Sequence, residues 1–599
     1  MSLRRCICTA VLLALLGLPQ PSSAIADGNQ VAAVEGYANF DTMRIQLEGI
    51  ARSPLAKLSV LGRTREGREV FLLTIGKGRA DDRPGILIIG GVDATQLYGG
   101  ELAVRVAQQL VDRAAADKET ARVLRRVTFY IIPRASPDAS EFFFIPPFEE
   151  RITNTRPTDD DNDGRVDEDP PSDLNNDGWI TTMRVEEPTG RYVEHPDDPR
   201  LMVRADPKKA ERGRWSLHLE GIDEDGDGQL NEDPLGGVAF DRNFTFNYPY
   251  FETGAGPFQV SEPETQAVAD FASTRTNIAL VLTFSKQDNL FHLPESEPSE
   301  KQGKIKTKLL KADAPHLERM ARLYRELHAG SNAPKPTEGR GAVSDWAYFH
   351  YGRWSLAARA WWIPPEEDTT KADSDVSEPT ANNAGAEDEA NSARQVTASA
   401  AEPSRAATSG RDERSLDEIH ALAWFERRGI KGFVPWEPIA HPDFPGRRVE
   451  VGGFKPYRRT NPPIDELERL IGKHVDFLQQ IADMLPKLRI AEVKPEPLGG
   501  NVWRVSVTVV NEGELPTFPQ MGEISRQTQP AQVAIDLPAG AALVTSHPRR
   551  RLPTLAGQGG HATETWLVRV PPATDGKFKI RVWAPAVGSV EKAFFLRDP

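Results

Sequence analysis

The apolar and polar positions of this chain change period several times, and the clearest change lies between Gly85 and Glu101, in GILIIGGVDATQLYGGE. Ile86 to Ile89 is a short β-branched run flanked by glycine, which predicts a strand buried on both faces. Leu97 to Leu110 then repeats with helical period and predicts an amphipathic helix packed back across that strand. Two glycines, Gly90 and Gly91, separate the two and place the tip Val92 to Gln96 at the carboxyl end of the strand, where α/β folds open a crevice. Two more unbroken apolar runs, Val127 to Pro133 and Asn277 to Phe284, read as strands of the same sheet.

Around these runs the pattern alternates between helix and strand. Asp41 to Ile50 has helical period, LSVLGRTREGREVFLLTIGK gives two strands, SEPETQAVADF opens a helix with a serine cap and an acidic first turn, and Leu317 to Ala329 is helical. SDWAYFHYGRWSLAARAWWIPP is dense enough in aromatic residues to form core and cleft wall, HALAWFERRG is folded, and IDELERLIGKHVDFLQQIADMLPKL is a long final helix. This alternation predicts an α/β domain over residues 36–487 with a mixed, mostly parallel sheet covered by helices on both faces. From about residue 490 the period drops to two, in VWRVSVTVVN, AQVAIDL, ETWLVRV and KFKIRVWAP, which predicts a C-terminal all-β sandwich over 490–599. Two insertions interrupt the first domain. Residues 150–235 are acidic, and 366–414 carry almost no large apolar side chain, which predicts a disordered segment.

Composition narrows the compartment and the partners. The start, MSLRRCICTAVLLALLGLPQPSSAIADG, has a basic end, an apolar centre and a small-residue Ala24-Ile25-Ala26 site, the pattern of a signal peptide over 1–26. An exported protein, periplasmic or extracellular, is expected. Both cysteines, Cys6 and Cys8, fall within that segment, which leaves the mature chain without a thiol for catalysis, zinc or disulfides. A formal charge of −14 argues against nucleic acid, whose binding rests on basic contacts to phosphate. Apolar stretches long enough to span a membrane are absent from the sequence.

The focal stretch, SPDA at Ser136 to Ala139, DRNF, SEPET, SDWAY and the NPP before the last helix form an ordered series that resembles the zinc carboxypeptidase A family. The resemblance implies an α/β fold with a mixed sheet of about eight strands, a zinc cofactor and action on a peptide C-terminus. It implies a His-x-x-Glu pair after the first buried strand and a later histidine; in this chain those zinc positions fall on Asp93, Gln96 and Ser285. The family's glutamate base falls on Arg359, which stays protonated and cannot accept a proton from a metal-bound water. Its substrate-covering tyrosine falls near Thr337. His292 to Glu295, HLPE, has the right spacing but contains Pro294 and lies past the strand. Arg242 of DRNF matches the arginine that pairs with a peptide carboxylate, here preceded by Asp241, and Arg151 or Arg156 matches a second cleft arginine. A purely structural ion pair of Arg242 with Asp241 or Glu264 is the alternative.

The acidic insertion carries three segments with calcium-loop spacing. Positions one, three and five are Asp159, Asp161 and Asp163; Asp173, Asn175 and Asp177; and Asp223, Asp225 and Asp227. Glycine follows at six in each, where a sharp turn lets the oxygens converge. Position nine supplies Asp167, Thr181 and Asn231, whereas position twelve is Pro170, Arg184 or Pro234 instead of a bidentate glutamate; Glu168 and Glu232 stand nearby.

These features point to an exported, calcium-binding carboxypeptidase-like protein without a working zinc site, binding a peptide end or an envelope component. A working zinc carboxypeptidase with other ligands, and a scaffold that acts through its β-sandwich, are the alternatives.

Overall fold

The computed structural model describes residues 36–159, 164–167, 169–231, 234, 236–301, 303–328, 333–364, 415–544, 547–572 and 577–596. The expected signal peptide with its two cysteines and the expected disordered segment 366–414 lie outside the described residues, as do Asp161, Asp163, Glu168 and Glu232.

The central sheet has six strands in the order Ala56–Arg63, Glu69–Ile75, Thr128–Ile132, Gly85–Ile89, Ile278–Phe284 and Trp354–Ala358. The last four run parallel and the first two pair antiparallel, so the sheet is mixed and mostly parallel as expected, with six strands where the resemblance implied about eight. Full burial on both faces explains the unbroken apolar runs: Ile86 and Ile88 join one core while Leu87 and Ile89 join the other. Helices Tyr98–Ala116 and Ile464–Met484 cover the first face, and Pro263–Thr274 and Val343–Phe349 the second.

The local signals resolve as follows. The helix expected over Leu97 to Leu110 runs from Tyr98 to Ala116 and ends because Asp117 is extended and caps the next helix, Lys118–Arg126, accepting from the N–H groups of Glu119 and Thr120. The serine cap expected in SEPET is not formed. Glu262 occupies the cap position, and Pro263 starts the helix with its φ already set. Ser261 instead donates to the Glu262 carboxylate at 2.8 Å.

A second sheet was not anticipated from sequence. Six antiparallel strands, in the order Phe433–Ile439, Val449–Phe454, Thr182–Glu186, Trp215–Leu219, Tyr192–Glu194 and Met202–Arg204, join the acidic insertion to the segment that follows residue 415. Trp215 is fully buried there under the Arg184 guanidinium, 4.5 Å from its ring. The C-terminal domain is a β-sandwich of two four-stranded antiparallel sheets. Val505, Val507 and Val509 of one sheet face Val533, Ile535, Ile580 and Val582 of the other. Asp313 fastens this domain to the first by accepting from Gln520 N at 2.7 Å and Met521 N at 3.1 Å. No helix among the described residues is long and apolar enough to cross a membrane.

Candidate functional site

The tip after strand Gly85–Ile89 sits where its two parallel neighbours diverge, since Thr128–Ile132 lies on one side and Ile278–Phe284 on the other. Glycine is required at the bend: a Cβ on Gly90 would stand 2.5 Å from Gly99 O and 2.6 Å from Pro133 O, and Gly91 has φ of 60°. Asn461 of NPP clamps the tip by donating to Thr95 O at 2.8 Å and accepting from Tyr98 N at 3.1 Å.

The positions that the resemblance assigns to zinc and to the base all lie at one carboxyl edge, after three adjacent parallel strands. Asp93 is held there by a lysine. The Lys286 ammonium stands 2.9 Å from Asp93 Oδ2 and donates to Thr95 Oγ1 at 2.9 Å. Gln96 is buried, and its Oε1 finds no hydrogen-bond partner among the described residues. Ser285 donates its hydroxyl to Gln287 O at 3.1 Å. Arg359 follows the edge strand and donates to Lys286 O at 3.1 Å, the same oxygen that accepts from Thr337 N at 3.2 Å. Lys286 therefore links the tip, two strand ends and the segment where the covering tyrosine would stand. The sequence reading did not include it, although Lys286 directly follows Ser285 in the chain and a cation there was the signal that could have found it. Beside it, Asp241 accepts from Val343 N at 2.9 Å; burial, and then the nearby Asp93, push its carboxyl well above the usual range.

The expected anion-binding arginines are differently engaged. Arg242 pairs with Glu252 at 3.0 Å, a partner that Arg340 shares, so the expected alternatives Asp241 and Glu264 are both corrected. Glu264 accepts from Asn154 at 2.9 Å, and burial raises its pKa to about 7. Arg156 pairs with the buried Glu262 at 3.0 Å. Arg151 is buried with its guanidinium 4.0 Å over the Phe142 ring and 3.9 Å from Glu149. In HLPE, His292 bonds Ala333 O at 3.0 Å and Glu295 pairs with Lys308 at 2.9 Å, so the two side chains serve separate partners.

The motifs that carried the resemblance are structural joints. Asp138 of SPDA accepts from Thr64 at 2.7 Å and Arg68 at 2.9 Å. Asn243 of DRNF donates to Ala255 O at 2.8 Å and accepts from Thr265 of SEPET at 2.8 Å.

Comparison with known proteins agrees with this architecture. The zinc carboxypeptidase family matches residues 47–183 and 194–370, more than half of the chain, and the chain belongs to that family. Residues 487–594 match a domain of unknown function. Carboxypeptidase B of Astacus astacus is 30% identical over 110 residues, covering 18% of this chain and 35% of that protein. Inactive metallocarboxypeptidase ECM14 of Saccharomyces cerevisiae is 31% identical over 107 residues, covering 17% of this chain and 25% of that protein. The chain thus spans about a third or less of the length of these relatives. Among solved structures, thrombin-activatable fibrinolysis inhibitor matches over 54% of this chain and 65% of its own at 14% identity and a TM-score of 0.32. Carboxypeptidase A of Helicoverpa armigera matches over 54% and 63% at 13% identity and a TM-score of 0.32.

The residues at the family's metal position do not fit zinc. Zinc takes imidazole, thiolate or carboxylate donors and keeps one open position. Here Gln96 is a neutral amide and Ser285 a hydroxyl turned to a carbonyl, while the one carboxylate, Asp93, is already neutralised by an ammonium.

In the acidic loops the described residues include the glycine at position six of each. Gly164, Gly178 and Gly228 take φ of 97°, 87° and 94°. In the second loop Asp173 Oδ2 accepts from Gly178 N at 2.8 Å, and in the third Asp223 Oδ2 accepts from Gly228 N at 2.9 Å. One oxygen from each of Asp223, Asp225 and Asp227 lies within 4.8 Å of the others. Asp167 is turned to Gly236 N at 3.1 Å, and Asn231 donates to Leu219 O at 2.9 Å. Two fully buried carboxylates outside the pattern repeat one role. Glu220 accepts from Leu174 N at 2.8 Å and Thr181 N at 2.9 Å, at positions two and nine of the second loop. Asp169 does the same in the third, accepting from Glu224 N at 3.1 Å and Asn231 N at 2.7 Å. Arg184, at position twelve of the second loop, is bonded to Glu450 at 2.7 Å.

Proposed function

We propose that this chain is an exported, catalytically inactive carboxypeptidase-fold protein whose cleft binds a peptide end or envelope component without cutting it, and whose acidic loops hold calcium. The observation that carries the reading is the Lys286 ammonium 2.9 Å from Asp93, a residue to which the resemblance assigns a zinc-ligand position. Hydrolysis needs an activated water and a base to take its proton. Arg359 supports the reading, because a permanent cation at the base position can only donate. The inactive metallocarboxypeptidase among the relatives is a precedent within the family. For calcium, the support is the set of hard carboxylate oxygens gathered around glycine turns. Export is supported by the pattern of the first 26 residues alone.

Incubating the full chain with a peptide library, with zinc added, and reading products by mass spectrometry tests the cleft. Intact peptides are expected. Chelator-sensitive loss of C-terminal residues would refute the inactive reading.

A further inference from the structure

Away from the cleft, the boundary between the first domain and the β-sandwich contains two adjoining cavities of about 540 Å³ and 260 Å³ that share Asp82, Gly588 and Ser589. The larger lies within the roughly 300–1,000 Å³ of small-molecule sites, and domain boundaries are where such sites are common. Six basic side chains line the pair, Arg83, Arg125, Arg126, Lys487, Arg549 and Arg581, against three carboxylates, Asp81, Asp82 and Glu591. Arg126 pairs with Asp483 at 2.7 Å and Arg83 donates to Leu124 O at 3.0 Å, so the excess rests on Arg125, Lys487, Arg549 and Arg581.

The carboxylates are already neutralised. Asp81 pairs with Arg275 at 2.8 Å, Asp82 with Arg79 at 3.6 Å, and Glu591 with Lys579. The side chains of Arg549 and Arg581, by contrast, make no hydrogen bond or ion pair among the described residues. Both are stacked over Trp583, 5.2 Å and 4.8 Å from its ring centroid. Strand register explains the arrangement. Ala534 stands between Arg549 on one side and Arg581 on the other, on the outer face of the sheet, and its small side chain leaves a gap between the two cations. Stacking fixes a guanidinium plane while leaving its N–H edge free, the state in which arginine binds a planar oxyanion by two parallel hydrogen bonds.

We infer that this groove is a binding site for a slender polyvalent oxyanion, carrying carboxylate, sulfate or phosphate groups, with Arg549 and Arg581 as its principal contacts. Cavities of about 540 Å³ and 260 Å³ suit a small molecule or a short chain segment. The site is independent of the cleft and of the acidic loops.

Isothermal titration of the full chain at low ionic strength, with tetragalacturonate and inorganic sulfate as anionic probes and maltotetraose as the neutral control, tests this. Binding of at least one anion, with none of the neutral sugar, is expected. In the Arg549→Gln/Arg581→Gln variant the affinity should fall about tenfold or more. Both side chains are exposed, so its melting temperature should not change. Preference for tetragalacturonate identifies an acidic saccharide, and preference for sulfate identifies a compact anion. The assignment is overturned if neither anion binds, or if the double variant binds them unchanged, the latter being the result for an anion held through calcium in the acidic loops.

Discussion

The cleft edge and the acidic insertion handle positive charge in opposite ways. At the edge, one carboxylate remains, and Lys286 neutralises it from within the chain. In the insertion, carboxylates are collected and held mainly by backbone N–H groups, which orient them without cancelling their charge. An ammonium on the chain cannot leave and needs no cofactor, which is why the proposed reading has the first region closed to a metal. On the proposed reading the second keeps its carboxylates in mutual repulsion until calcium binds. Family membership is therefore legible in the joints of the fold, while on the proposed reading the metal chemistry is lost at one place and calcium is held at another.

The largest expected effect lies on the acidic side of this comparison. A cation that binds only the folded state at 100-fold over its dissociation constant stabilises by about 2.7 kcal/mol, so for a folded unit of this size chelation should lower the melting temperature by roughly 2–4 °C. Asp225→Ala with Asp227→Ala should remove part of the shift in thermal scans with and without calcium. On the other side, Lys286→Met leaves Asp93 uncompensated and should cost about 1–3 kcal/mol, discounted because the lysine is partly exposed. Adding Asp93→Asn should recover much of that loss in a double-mutant cycle by denaturant unfolding. Full additivity of the two changes would break the pairing.

A smaller effect separates the regions by pH. Burial raises the carboxyls of Glu220 and Asp177, and burial with Asp169 raises that of Glu224 to about 7. A folded pKa above the unfolded value of 4.5 gives stability that is present below that value and lost as pH rises through the folded one. Chelated protein should therefore lose stability between pH 4.5 and about 7, and saturating calcium should flatten the profile. The smallest effect is a rebuilt centre. Asp93→His, Gln96→Glu and Ser285→His should not bind zinc while Lys286 remains, and should bind it once Lys286→Ser is added. Weak hydrolysis should need Arg359→Glu as well, since the partners that orient ligands are missing. Zinc uptake by the triple variant with Lys286 intact would show that the ammonium does not occupy the metal position.

The long elements were legible because their cores impose period: Ile86 to Ile89 and Asn277 to Phe284 are buried on both faces, and the final helix keeps one apolar stripe. The glycine turns of the acidic loops were legible for a local reason, since position six must take a positive φ. What failed was non-local. Tyr192–Glu194 has three residues, too few to show a period, and Thr182–Glu186 pairs with Val449–Phe454, far away in sequence. The partner of Arg242 is Glu252, on a loop whose path the sequence does not show. The serine cap failed because Pro263 and the bonds of Glu262 to Arg65, Asn154 and Arg156 set the start of the helix. Lys286 was missed because only ligand positions were compared with the family pattern and not the residue beside them.

The proposed replacement of the metal by Lys286 is tested most directly by the zinc content of full-length protein, purified without chelator and dialysed against a low free zinc concentration. Far less than one zinc per chain is expected, rising on the rebuilt background only when Lys286 is removed. One tightly held zinc per unaltered chain would contradict it.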